Sequence, residues 1–135
     1  MLTHKTTCRV IYGDTDSLGI AYYANYLRWF EIGRTELLRS LGVAYRTIEE
    51  NGVALPASEV FCKFQNPLRY DDVFVIETSL DTRIRAGMKF DYRLLYEDEE
   101  TVAATGYTKH AFLDGSGRVV RPPAYIRKII SEHSG

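Results

Sequence analysis

The spacing of apolar residues along the chain predicts one long helix near its start. From Tyr22 to Leu41, apolar residues recur at steps of three and four, as they do on the buried face of an α-helix. Gly42 follows directly and is a suitable residue to end a helix. At roughly 1.5 Å per residue this helix is about 30 Å long, the width of a small domain. We therefore expect it at the centre of the fold.

Alternation with period two predicts strands on both sides of this helix. The expected strands are 3–12, 60–65, 73–85, 88–96 and 101–113, with short helices at 44–51 and 125–132. Gly106 is expected to mark a bend or bulge in the last strand. A strand, a long helix and four closely connected strands favour an α+β fold, in which an antiparallel sheet of about five strands wraps around the helix.

Composition narrows the class of protein. A chain of 135 residues with 45% hydrophobic and 26% charged residues fits one globular domain, here 1–135. The formal net charge of -1 lacks the basic excess typical of nucleic-acid binders. No apolar run is long enough for a signal peptide or a spanning helix. Cys8 and Cys62 match no metal motif, which favours reduced thiols and a cytoplasmic protein.

Several kinds of site lack support in the sequence. No glycine-rich motif for a dinucleotide or a P-loop occurs. The three histidines, His4, His110 and His133, are far apart with no ligand at metal-site spacing, so no metal is expected. Ser116 lies in DGSGR, which predicts a hairpin turn and not a nucleophile elbow. The candidate chemistry is thereby reduced to the segment before the long helix.

Two carboxylates precede that helix in the segment YGDTDSLGIAYY. Asp14 and Asp16 could simply cap the helix, because acids accept hydrogen bonds from its free N–H groups. Asp16, however, lies six residues before Tyr22, too far for a simple cap. A loop that folds back would face this carboxylate towards the first-turn N–H groups across a gap that suits a carbonyl, an arrangement for acyl transfer. For Asp14 we favour a role within the loop.

The run from Asp14 to Glu36, DTDSLGIAYYANYLRWFEIGRTE, closely resembles the signature of hot-dog-fold thioesterases of the 4-hydroxybenzoyl-CoA thioesterase family. It is also similar to that of bacterial acyl-CoA thioesterases associated with the Tol-Pal system. The resemblance implies a single hot-dog domain that hydrolyses the thioester of a small aromatic or fatty acyl-CoA. It further implies that Asp16 is the nucleophile or general base, and that the backbone N–H of Tyr23 polarises the thioester carbonyl.

The resemblance also implies binding residues. Gly19, Tyr22 and Asn25 complete the motif and are the expected contacts to the substrate, with the alternative that Asn25 ties the loop to the helix. In such enzymes the coenzyme A tail lies along the protein surface. Cations for its phosphates are expected at a turn that carries Arg83, Arg85 and Lys89.

Partners are implied in the same way. Hot-dog thioesterases form their active sites between two subunits, so we expect a homo-oligomer, at least a dimer and commonly a tetramer. The substrate is an acyl-CoA or an acyl-carrier-protein thioester, and no cofactor is required. Two alternatives remain: a noncatalytic acyl-CoA or carrier-protein binding module, and a hot-dog dehydratase, which would use a histidine that the motif lacks.

Overall fold

The computed structural model describes residues 2–133, in which six strands form one antiparallel sheet. The strand bounds are β1 (Leu2–Arg9), β2 (Ala57–Phe64), β3 (Val73–Leu80), β4 (Gly87–Tyr96), β5 (Val102–Leu113) and β6 (Val119–Val120). The five longer strands lie in the order β1-β3-β4-β5-β2, and β6 pairs with β5. Strands β1 and β2 are therefore the two edges.

One long helix, α1 (Asn25–Ser40), packs against the concave face of this sheet, and two shorter helices are α2 (Tyr45–Glu50) and α3 (Ala124–His133). The buried face of α1 is the predicted apolar stripe, and it consists of Tyr26, Trp29, Phe30, Gly33, Leu37 and Leu38. The ring of Phe30 stacks on that of Tyr92 in β4 with centroids 4.2 Å apart. The α+β architecture with a central helix is confirmed.

Three expectations about the sheet need correction. Strand β1 ends at Arg9 and not at residue 12, since Tyr12–Asp14 form a short 3-10 helix. Strand β3 ends at Leu80 and not at residue 85, because Asp81 turns the chain by accepting hydrogen bonds from the backbone and side chain of Arg83. Gly106 does not form a bulge, since it pairs regularly with Cys62 and Tyr92. A Cβ at Gly106 would overlap the carbonyl oxygen of Phe61 in β2 and would lie 2.7 Å from the ring of Phe30, so the glycine permits close packing against both β2 and α1.

The predicted C-terminal end of α1 is confirmed, but its predicted N-terminal end is wrong. At the C-terminal end, Gly42 has a φ of 85°, the left-handed conformation that glycine adopts readily. At the N-terminal end the helix begins at Asn25, three residues later than the expected Tyr22. The N–H of Tyr22 donates to the carbonyl of Asp14 at 2.7 Å, so residues 22–24 form a turn that joins the helix to the preceding loop.

Candidate active site

The loop between Asp14 and Tyr22 folds back on itself, as the sequence predicted. Thr15 pairs with Ala21, and the N–H of Asp16 donates to the carbonyl of Ile20 at 3.0 Å. Gly19 closes the loop with a φ of 77°, and its own N–H donates to the carbonyl of Asp16. The loop is therefore a short hairpin that carries Asp16 back towards the start of α1.

The carboxylate of Asp16 is half-buried and makes few protein contacts. One oxygen, Oδ1, accepts a hydrogen bond from the N–H of Leu18 at 2.8 Å. Within residues 2–133, no lysine, arginine or histidine nitrogen lies within 4.0 Å of this carboxylate. Asp16 is thus an oriented anion without a cationic partner, which leaves it available for chemistry.

The turn before α1 offers backbone N–H groups that residues 2–133 do not use. The N–H groups of Tyr22 and Asn25 are used within the turn, by the carbonyls of Asp14 and Tyr22. In the described part of the chain, the N–H groups of Tyr23 and Ala24 have no protein acceptor. Free N–H groups at a helix start carry partial positive charge, so they can hold a carbonyl oxygen or an oxyanion.

Asp16 and Tyr23 line one open cleft of about 320 Å³. Its apolar wall contains Tyr26 of α1 and Phe64 of β2, whose rings meet edge to face with centroids 4.8 Å apart. Burial raises the pKa of Tyr26, so its phenol stays protonated at neutral pH. The lining comprises Asp16, Ile20, Ala21, Tyr23, Tyr26, Phe64, Gln65, Asn66 and Pro67.

The structure places the other residues of the motif beside the cleft and not in its lining. Gly19 lies at the tip of the hairpin, and the rings of Tyr22 and Tyr23 pack together with centroids 4.5 Å apart. The side-chain amide of Asn25 donates to the carbonyl of Asp14 at 2.8 Å. Asn25 therefore ties the loop to the helix, which is the alternative that the sequence left open.

Asp14 is buried, and both oxygens of its carboxylate accept hydrogen bonds. One carboxylate oxygen accepts a hydrogen bond from Arg28 of α1 at 2.5 Å, and the other accepts the N–H of Ile11 at 2.9 Å. Only 6% of its side-chain surface is exposed, compared with 46% for Arg28. Asp14 thus has the structural contacts that we expected of it.

The three cations expected to bind coenzyme A do not form one cluster. Arg83 makes two hydrogen bonds to the buried carboxylate of Asp81, and this pair holds the pKa of Asp81 well below its usual range. Lys89 lies 3.2 Å from a carboxylate oxygen of Asp91. Arg85 alone lies at a cleft.

That second cleft has a volume of about 280 Å³ and lies between α3 and the turn that joins β3 to β4. Its apolar residues include the buried Met88 and Ile126. Two further arginines, Arg121 and Arg127, line it together with Arg85. No carboxylate of residues 2–133 lies within 4.0 Å of these three guanidinium groups. The sequence prediction missed Arg121 and Arg127.

Metal ligands are not grouped in this structure. Among the described residues, no cluster of three or more histidine, cysteine, aspartate or glutamate side chains could hold a metal ion. None of the helices in the described range is long and apolar enough to cross a membrane.

One antiparallel sheet packed on one long helix, with Asp16 and Tyr23 lining one cleft, is the arrangement expected of a hot-dog thioesterase. The model of the thioesterase-like superfamily matches residues 10–130. The chain belongs to this superfamily, and the expected fold and the enzyme class of thioester hydrolase are confirmed.

Individual relatives support this assignment. A putative esterase of Aquifex aeolicus is 32% identical over 124 residues, which cover 92% of this chain and 94% of the relative. A putative acyl-CoA thioesterase, YneP of Bacillus subtilis, is 38% identical over 81 residues, or 60% of this chain and 59% of the relative. The solved structure of BH1999 gentisyl-coenzyme A thioesterase is similar with a TM-score of 0.83 and 26% identity, covering 92% of this chain and 99% of that chain.

Proposed function

We propose that the protein hydrolyses the thioester of an acyl-CoA in the cleft between Asp16 and the start of α1. The observation that carries this proposal is that Asp16, whose carboxylate has no cationic partner among the described residues, and Tyr23, whose N–H has no acceptor among them, line the same cleft. The N–H group polarises the thioester carbonyl and stabilises the oxyanion, while the helix dipole adds to its effect. Asp16 acts from the other side.

Two routes are open to Asp16. As a general base, the carboxylate takes a proton from water while the water oxygen attacks the carbonyl carbon. As a nucleophile, it attacks that carbon itself and forms a mixed anhydride, which water then hydrolyses. In both routes the carbon–sulfur bond breaks, the thiolate of coenzyme A leaves and takes up a proton, and a free carboxylic acid is released. Neither route needs a cofactor.

The acyl group lies, in this proposal, against the apolar wall of the cleft. Tyr26 and Phe64 offer the ring faces and edges that an aromatic acyl group would contact, and they accommodate a fatty chain as well. Relatives named for acyl-CoA and for gentisyl-coenzyme A support an acyl-CoA substrate of either type.

Arg85, Arg121 and Arg127 are the proposed partners of the coenzyme A phosphates. They line one cleft and lack carboxylate partners among the described residues, whereas Arg83 and Lys89 each have one. Guanidinium groups bind phosphates through paired hydrogen bonds, which suits this role. Within one chain, this cleft lies beside the start of β4 and the Asp16 cleft lies beside the end of β2, at opposite ends of the sheet. In this proposal a single CoA spans the arginine cleft of one subunit and the Asp16 cleft of another.

A homodimer that pairs through β2 would satisfy this geometry. Strand β2 is an edge of the sheet, and Val60, Phe61 and Phe64 on it are 44%, 48% and 50% exposed. An exposed apolar edge strand is a surface for pairing with another strand. A partner there would also cover the Asp16 cleft, of which Phe64 is a wall. The proposal also includes a tetramer built from such dimers. It further includes a cytoplasmic location, which the free thiols of Cys8 and Cys62 favour.

Release of free thiol from a panel of acyl-CoAs tests the proposed activity. Short, medium, long-chain and aromatic acyl groups are compared, together with the same acyl groups on an acyl-carrier protein. Turnover of one class supports the proposal and identifies the substrate. Tight acyl-CoA binding by calorimetry without thiol release would instead favour a noncatalytic binding module. Hydration of an enoyl thioester would favour a dehydratase, although no histidine lines the cleft.

A further inference from the structure

Asp14 joins the loop that carries Asp16 to α1 through both its side chain and its main chain. Its carboxylate accepts hydrogen bonds from Ile11 at 2.9 Å and from Arg28 at 2.5 Å. Its carbonyl accepts hydrogen bonds from the N–H of Tyr22 at 2.7 Å and from Asn25 at 2.8 Å. Four donors from three parts of the chain thus converge on one residue.

These contacts are the ties between the hairpin and the start of the helix. No side chain caps the N-terminus of α1, and the contacts to Asp14 join the start of this helix to the loop. From Asp14 the pairing continues along the hairpin, through Thr15 with Ala21 to Asp16 with Ile20. The position of the Asp16 carboxylate relative to the N–H of Tyr23 therefore depends on how firmly Asp14 is held.

The ion pair with Arg28 is the only one of these contacts in which both partners are charged side chains. A buried carboxylate is costly without a partner, and losing the partner leaves an uncompensated charge. Arg28 approaches from one helical turn beyond the N-terminus and lies over the ring of Trp29, 5.9 Å from its centroid. The guanidinium is thus held between the core of α1 and the loop. The buried carboxylate of Asp14 has its cationic partner only while the loop lies against the helix.

We infer that Arg28 and Asp14 form a positioning pair for the proposed hydrolysis: their ion pair holds the Asp16 carboxylate and the Tyr23 N–H at the spacing that one thioester carbonyl requires. This inference rests on the proposed function. Neither residue lines the cleft, so the pair acts on the reaction through Asp16 and Tyr23 and not by touching the substrate.

The test compares Asp14→Asn, Arg28→Gln and Arg28→Lys, each also made in an Asp16→Asn background. The rates of thiol release, kcat and KM, are measured well below the melting temperature of each variant. Glu77→Gln is the matched control, because Glu77 accepts two hydrogen bonds from Arg93 on the outer face of the sheet, away from the cleft. Glu77→Gln removes an arginine–carboxylate ion pair, as the Asp14 and Arg28 variants do, but from a part of the surface that has no proposed role.

Misplacement of reacting groups by a fraction of a bond length is expected to lower kcat of Asp14→Asn and Arg28→Gln by about 10- to 100-fold, with KM little changed. Arg28→Lys should recover part of that loss, since it restores the charge. In the Asp16→Asn background the same substitutions should lower kcat hardly any further, because the effects of residues that act through one another are not additive. Glu77→Gln should keep the wild-type kcat.

Two results would overturn the inference. One is a lower melting temperature for Asp14→Asn and Arg28→Gln with kcat per folded protein unchanged, which is the behaviour of a purely structural pair. The other is a full, additive loss in the Asp16→Asn background. Arg28→Lys keeps a positive charge beside the buried Asp14, so this variant is expected to fold even if Asp14→Asn and Arg28→Gln do not. Wild-type protein without thioesterase activity would contradict the proposed function itself, which is a different outcome.

Discussion

Gly33 of α1 lies directly against Thr78 of β3. A Cβ at Gly33 would overlap the hydroxyl oxygen of Thr78 and would lie 2.6 Å from a methyl carbon of Ile76. Thr78 and Ile76 are fully buried and β-branched, so they have little freedom to move aside. The helix therefore approaches the sheet at Gly33 as closely as backbone and side chain allow.

Substitution of Gly33 by Ala should destabilise the protein. Overpacking in a core costs about 1–3 kcal/mol, which exceeds the gain of up to about 1 kcal/mol from a better helix former. Chemical denaturation measures the difference. Gly115→Ala is the control, because nothing lies within 4 Å of a Cβ there, and it should change the free energy of unfolding much less. Equal stability of the two variants would contradict this packing.

The helix, its buried face and its C-terminal end were largely predictable from local pattern. Apolar residues at steps of three and four identify the buried face of α1, and Gly42 marks its end. The start at Asn25 was not predictable, because it depends on the hydrogen bond from Tyr22 to Asp14, which exists only once the loop has folded back. The role of Gly106 likewise depends on a ring of α1 that is distant in sequence.

His110 in β5 should make stability depend on pH. It is 4% exposed, and its ring nitrogens contact the carbonyl of Leu55 at 3.1 Å and the hydroxyl of Thr108 at 2.8 Å. A carbonyl can only accept, so the neutral ring donates from Nδ1 and accepts the Thr108 hydroxyl at Nε2. Burial lowers the pKa of His110 from 6.5, and the charge of Arg34 acts in the same direction.

The sign of the effect follows from linkage. Below about pH 6.5 the unfolded chain takes up a proton at His110 before the native protein does, so the free energy of unfolding should fall as the pH drops through this range. The contribution of neutral His110 to the free energy of unfolding is fully present only above about pH 6.5. Urea denaturation at about pH 5.5 and pH 7.5 should show a larger loss for the wild type than for His110→Asn. The same loss in both proteins would contradict this expectation.

The arginine cleft should bind the nucleotide part of the substrate. Replacing Arg85 or Arg121 by Ala should raise KM for an acyl-CoA and leave kcat nearly unchanged, because the phosphates lie far from the reacting carbonyl. The matched substrate is the same acyl group on N-acetylcysteamine, which lacks the phosphates. Its kinetics should not respond to either substitution. An equal rise in KM for both thioesters would show that the arginines do not bind phosphate.

The edge strand β2 should form the dimer. Val60→Lys places a charge on this exposed apolar edge and should produce monomers with much reduced activity. Val119→Lys is the control, since Val119 is 70% exposed on β6, away from this edge. Light scattering after size-exclusion chromatography gives the mass of each. A stable, fully active monomer would contradict a site shared between subunits.

The motif identified one half of the Asp16 cleft but not the other. Asp16 and Tyr23 are seven residues apart, and the hairpin and the helix start bring them together by local structure. The opposite wall, from Phe64 to Pro67, comes from the end of β2 and depends on the register of the sheet. Arg121 and Arg127 join Arg85 only because α3 packs beside the β3–β4 turn. The periodicity of the sequence does not show which distant segments pack together, so these residues could not be predicted.

Asp16 is the proposed catalytic carboxylate, and the kcat of Asp16→Asn measures this role. The control is Asp114→Asn, because Asp114 also accepts the N–H of the second residue after it, in a hairpin turn outside the cleft. Thiol release from the best acyl-CoA should fall by about 10²- to 10⁴-fold in Asp16→Asn, with substrate binding and melting temperature retained. It should stay at the wild-type rate in Asp114→Asn. Asp16→Asn protein that hydrolyses the acyl-CoA as fast as the wild type would contradict the account.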